Sequence, residues 1–236
     1  MHMKGIGINM SEENTQDRKK GTIELIIVIM LGITAVATAW SSWQGSQHGS
    51  LMDQQYATAN LMASEGNSEY NAGIQSLMQD MLLYNEINSL LIDMHFAELK
   101  GDADEEERLS WKLDRLITGN MSDEFEEALM WAMAEEERRD ESVSPFELED
   151  FVETYFELAF ELLEESEEML EIGNEHSTHG DNLGLVAVIY AVVLFLLGIS
   201  ATFKKPREKC ILLVASGIGF LVATIFMFTI PTVFPS

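Results

Sequence analysis

Three histidines have the residue type and the neighbours to bind a metal. His176 and His179 stand at i, i+3 with Glu175 and Asp181 beside them, and His48 lies near the end of a long uncharged run. Imidazole and carboxylate together form a donor set for zinc or another transition metal. His48, His176 and His179 are therefore candidate ligands of a divalent cation. Their spacing matches no recognised zinc motif, so plain polar contacts are the competing expectation. Histidine also titrates near neutrality, which leaves a pH-sensing role open.

A second constellation lies on the first apolar segment. At 100° per residue Thr34, Thr38, Ser41, Gly45 and His48 fall within an arc of about 80°, with Trp40 and Trp43 on the other side. Hydroxyls can replace part of an ion's hydration shell, so Thr34, Thr38, Ser41 and Gly45 are candidates to line a pore between several copies of this helix. The competing expectation is helix packing, since small and hydroxylated residues let membrane helices approach.

The third is acidic. Runs at 104–107, 123–127, 135–137 and 164–168 give carboxylates at high density, but none has the loop pattern of an EF-hand calcium site. They read as solvated faces whose combined field could gather inorganic cations. The chain of 236 residues carries a formal charge of −26. Residues 45–183 hold 35 acidic and 6 basic side chains, a net of −29. Such a field repels phosphates and excludes nucleic acid as a partner. No phosphate loop, nucleophile elbow or His-Glu-x-x-His motif occurs, so no catalytic residue and no enzymatic activity are expected. Cys210 is the lone cysteine, so no intrachain disulfide can form.

The elements that must position these residues are membrane helices. Residues 25–52 contain no charge, and neither do 183–203 or 210–234. Each run is long enough for a bilayer core of ~30 Å at ~1.5 Å rise per residue. Trp40 and Trp43 suit an interfacial aromatic belt. A cleaved secretory leader is the competing reading of Arg18-Lys19-Lys20 followed by Ala37-Thr38-Ala39, but the uncharged run is long for one. The basic residues outside the acidic stretch lie before span one and between spans two and three, and short basic loops stay in the cytoplasm.

The expected layout is an all-α membrane protein with an extracytoplasmic acidic helical bundle between the first span and the second. Residues 1–21 form a cytoplasmic polar tail, 22–43 span one, and 44–182 the acidic domain. Span two covers 183–203, a basic cytoplasmic loop 204–209, span three 210–231, and an extracytoplasmic C-terminus 232–236. Pro206 turns the chain between spans two and three. Within that hairpin Ala215 and Gly219 offer a small-residue contact to neighbouring helices.

Inside the acidic domain the period is helical. Ile74, Leu77, Met81, Tyr84, Asn88 and Leu91 recur at three- and four-residue spacing. Span one is expected to run on into this segment, to be interrupted near Gly66 or Gly73, and to end at Gly101. Asp102 with Glu105 opens a second helix that Gly119 breaks, and Ser122 or Asp123 caps a third that reaches Arg139. Ser144-Pro145-Phe146-Glu147 is a capping box with proline at the first helical position, opening a fourth helix to about Ile172.

Several stretches resemble an uncharacterised family of prokaryotic three-span membrane proteins. They are Ala37-Thr38-Ala39-Trp40-Ser41-Ser42-Trp43-Gln44, Ser144-Pro145-Phe146, Gly180-Asp181-Asn182-Leu183, the 194–199 run and Ile230-Pro231. The resemblance implies one span, a helical domain and a hairpin, and no particular activity.

The leading functional expectation is a homo-oligomeric passive cation channel in the cell membrane, with span one lining the pore and the acidic domain as its vestibule. The spans lack charged residues in their apolar cores, which disfavours coupled transport but not passive conduction. The alternative is a non-conducting sensor or scaffold, anchored in the lipid bilayer, whose outer helices bind a cation or a partner protein.

Overall fold

The protein is described from a computed structural model covering residues 6–203 and 205–234, with side chains from residue 21 onward. Lys204, Pro235 and Ser236 lie outside the described residues, as do the side chains of Arg18, Lys19 and Lys20. Among the described residues there is no strand. The helices are α1 (Ile6–Lys100), α2 (Ala103–Asn120), α3 (Asp123–Arg139), α4 (Glu149–Thr154), α5 (Glu157–Thr202) and α6 (Pro206–Met227), with a 3-10 turn at Pro145–Glu147 before α4. Three of them, α1, α5 and α6, are long and apolar enough to cross a membrane.

The chain divides into two compact units. One comprises Met1–Ala57 with Met169–Ser236, and the other Thr58–Glu168. The first is a bundle of the three apolar helices. Buried positions of α1 recur every seven residues at Ile27, Thr34, Ser41 and His48, the period that keeps one face of a helix against its neighbours. Val186, Tyr190 and Ala223 form the buried centre, with Ala37, Phe220 and Met227 packed on it. The Tyr190 hydroxyl lies 2.9 Å from Thr224 Oγ1, so the polar end of a buried ring is satisfied. Gly219 packs toward Val193, while Ala215 is exposed. The two small residues thus do not share one contact, and Gly219 serves a helix of its own chain. At the other end Lys209 donates to Glu24 Oε1 at 2.7 Å, tying α6 to α1.

The second unit is built on residues 58–100 of α1. Leu83, Ile87, Phe125, Ala128 and Phe151 form its core. Phe125, Phe146 and Phe151 form a triangle of rings, with Phe125 stacked on the other two at centroid distances of 5.8 and 5.9 Å. The local signals for α2 and α3 act as the sequence suggests. Asp102 accepts from the Glu105 amide, and Ser122 from the Phe125 amide. The capping box is present, with Ser144 and Glu147 bonding reciprocally.

Four expectations are corrected. Gly66 and Gly73 do not interrupt α1, which is continuous to Lys100. They are close-approach positions instead: a Cβ on Gly73 would collide with the Tyr155 carbonyl, and one on Gly66 would press on Leu163 and Ala159. Gly119 lies inside α2 rather than breaking it, and the helix ends at Asn120. The fourth helix does not run unbroken from Pro145: its first turn is 3-10 and α4 stops at Thr154. No glycine or proline marks that stop. There Tyr155 donates to Asp80 Oδ2 at 2.5 Å and Phe156 packs on Tyr70 at 5.0 Å, so aromatic anchoring to α1 replaces the helical path. Finally, α5 continues without a break from Glu157 through the apolar run to Thr202, so the helix expected to end near Ile172 and the second apolar run are one helix.

Candidate functional site

Gln44 and His48 of α1 meet polar groups of α5 and of the segment after α6 at the end of the apolar stretch of α1. Gln44 and His48 lie one turn apart on the buried face, both with about 1 % of their surface exposed. Gln44 holds the extended segment after α6 by two bonds: its Nε2 donates to the Val233 carbonyl at 3.0 Å, and its Oε1 accepts from the Val233 amide at 2.9 Å. A primary amide presents a donor and an acceptor side by side, so one side chain reads both backbone groups of one residue. Trp40 and Trp43 contact each other at 5.2 Å, and Trp40 lies 6.4 Å from Phe234.

His48 has both ring nitrogens engaged. Its Nε2 lies 3.0 Å from the Pro231 carbonyl, and its Nδ1 lies 3.0 Å from Nδ1 of His176. A carbonyl only accepts, so His48 carries its proton on Nε2. The neutral ring is then bare at Nδ1 and accepts from the His176 Nδ1–H. His179 sits edge-on to His48 at 5.2 Å. Burial lowers the His176 pKa from the ordinary 6.5, the neighbouring His48 and His179 add to that, and Glu175 opposes it.

The structure thus brings the three histidines together, but not as a metal centre. Among the described residues no group of three His, Cys, Asp or Glu side chains is placed to hold an ion. The expected ligand set of His48, His176 and His179 is corrected for that reason. The rings of His48 and His176 bond each other, and the remaining nitrogen of His48 belongs to a backbone carbonyl.

The stripe on α1 faces inward. Ser41 Oγ donates to the Leu183 carbonyl at 2.8 Å. Gly45 meets Gly180 and Leu183, where a Cβ on either glycine would stand 3.5 Å from the other's carbonyl. Thr34 is fully buried and Thr38 donates back to the Thr34 carbonyl at 2.8 Å. Of the residues expected to line a pore between copies, Thr34 and Ser41 are thus buried within the same chain, while Thr38 and Gly45 are half-buried. Thr34 Oγ1 and Ser216 Oγ are buried without a hydrogen-bond partner among the described residues.

Sequence reasoning did not assign a role to Gln44, Pro231 or Val233. Gln44 is an amide in an otherwise apolar and small-residue run, and it falls at the edge of the stripe, 40° beyond His48 at 100° per residue, which is the signal that could have found it. The acidic runs stay on exposed surfaces. Glu135 is the clear exception: Arg138 and then Arg139 hold its carboxyl down at about 2. Comparison of the chain with protein-family models, curated proteins and solved structures finds no match in any of the three.

Proposed function

We propose that this chain is a non-conducting membrane-anchored scaffold or sensor, in which three spans hold an acidic helical unit outside the cytoplasm to bind a partner protein or cations. The carrying observation is the closure of the polar stripe. Ser41 bonds the backbone of α5, Gly45 touches Gly180, and Thr34 is fully buried. A hydroxyl that faces its own chain offers nothing to an ion passing between copies. The orientation rests on the distribution of basic residues: Arg18, Lys19, Lys20, Lys204, Lys205, Arg207 and Lys209 flank the apolar runs at what would be the cytoplasmic side. That puts the acidic domain and the C-terminal segment outside.

The test is electrical. Purified full-length protein in planar bilayers should pass no current across changes in pH and calcium. A reproducible current that Thr34→Val or Thr38→Trp alters would overturn the reading. It would favour the second reading, a passive cation channel with an acidic vestibule. The observation in favour of that reading is the pair of unpartnered buried hydroxyls, Thr34 Oγ1 on α1 and Ser216 Oγ on α6. Unsatisfied polar atoms in an apolar bundle are costly unless water reaches them. Conduction between copies would further require α1 to turn or part from α5.

A further inference from the structure

Residues 78–99 of α1 are apolar on two opposite sides. One side, with Leu83, Ile87 and Ala97, is buried in the core of the second unit. The other carries Met78, Leu82, Asn85, Ser89, Ile92, Phe96 and Leu99, all exposed. Their spacing alternates four and three residues along the whole stretch, which is the seam of a coiled coil. The five apolar members are between 52 and 68 % exposed.

We infer that this seam binds the same seam of a second copy, in parallel and in register. Three observations select that occupant. The first is the alternating spacing, which suits a helix of like pitch and register rather than a flat surface. The second is area: side chains of roughly 200 Å² at these exposures give roughly 600 Å² per copy, so a pair clears the ~1,000 Å² expected of a specific interface. The third is charge. Taking Leu82, Ser89 and Phe96 as the a positions, Glu86 and Asp93 flank the seam on one side, and Met81, Asn88 and His95 flank it on the other. A parallel pair sets Glu86 and Asp93 opposite the uncharged Met81 and Asn88. An antiparallel pair sets acid opposite acid. Glu86 and Asp93 would likewise repel an anionic lipid surface. Asn85, at a d position, and Ser89, at an a position, are the two polar places in the seam. Copies anchored in one membrane share their orientation, so the parallel arrangement also agrees with the membrane reading. The seam does not depend on whether the spans conduct.

The experiment uses the full-length chain in lipid nanodiscs or mild detergent. In a Cys210→Ser background, Ile92→Cys should form an inter-copy disulfide under copper–phenanthroline oxidation at least about tenfold faster than Glu98→Cys, which is exposed but off the seam, because pairing raises the local thiol concentration. Leu82→Glu with Phe96→Glu should convert the dimer mass to a monomer mass, while the circular-dichroism melt shows the fold retained. A wild-type chain that stays monomeric over the accessible concentration range overturns the inference. So does cross-linking at Glu98→Cys as fast as at Ile92→Cys, or a dimer that survives the double Glu substitution.

Discussion

Single side chains decide how the first unit closes. Gln44 bonds both backbone groups of Val233 from a buried position, so Gln44→Leu strips two bonds at once and leaves an amide and a carbonyl to find water. The expected cost is about 1–3 kcal/mol, read as a lower melting temperature together with faster hydrogen exchange at the Val233 amide. An unchanged exchange rate there would mean the clamp does not hold the C-terminal segment. His176 gives a pH dependence. The His176 pKa is lowered by burial and by His48 and His179. The unfolded chain therefore binds more protons than the folded one between the folded value and the ordinary 6.5. Stability from this group is complete above that ordinary value and is lost as pH falls through the lowered one. Melting temperature should drop on acidification below about 6.5, and His176→Asn should flatten that drop. Glu135 contributes the opposite end of the range, since its stabilisation by Arg138 is lost only as pH falls toward about 2.

At the scale of helices, close approach matters more than chain flexibility. Gly73 lets α1 lie against the Tyr155 backbone, and a methyl group there would meet a carbonyl oxygen that cannot move aside. Gly73→Ala should destabilise by about 1–3 kcal/mol through that overlap. Gly119 lies in the last turn of α2 with open space around it, so Gly119→Ala should be neutral or stabilise by up to about 1 kcal/mol through helix propensity. Denaturant melts should show a loss of stability for Gly73→Ala and none for Gly119→Ala. Equal effects would show that packing at Gly73 is looser than described. Gly101 is different again: its φ of 69° is the left-handed conformation that ends α1, and it has open space around it.

Across the whole chain the charge is divided unevenly. Residues Thr58–Glu168 carry 31 acidic and 6 basic side chains, a net of −25, and the remaining residues carry 9 and 8, a net of −1. Almost all of the self-repulsion therefore belongs to one unit. Its carboxylates are mostly exposed and screened by salt, so raising ionic strength from about 10 mM to about 500 mM, which shortens the Debye length from about 30 Å to a few Å, should raise the melting temperature of that unit. The same change should strengthen pairing along the Met78–Leu99 seam, because copies of like charge repel less. A melt insensitive to salt would mean the acidic clusters are already neutralised by bound cations.

Much of this molecule is legible in its sequence, for physical reasons that act locally. Three apolar runs specify three helices fit for a membrane, because an uncharged stretch of that length has few other places to go. Asp102, Ser122 and the Ser144–Glu147 box specify where helices begin, because each satisfies amides only a few residues away. Gly101 ends α1 through its own backbone geometry. What the sequence could not decide was which face meets which neighbour. The stripe of Thr34, Thr38, Ser41 and Gly45 suits packing as well as a pore, and only the fold shows that Ser41 and Gly45 lie against α5. The three histidines leave a metal centre open beside plain polar contacts until Pro231 is found on one nitrogen of His48 and His176 on the other. The break at Tyr155 coincides with contacts to Asp80 and Tyr70 of α1, some 75 and more positions away. Caps and hydropathy are properties of neighbouring residues, whereas enclosure and hydrogen-bond partnership across the fold exist only once distant segments are packed.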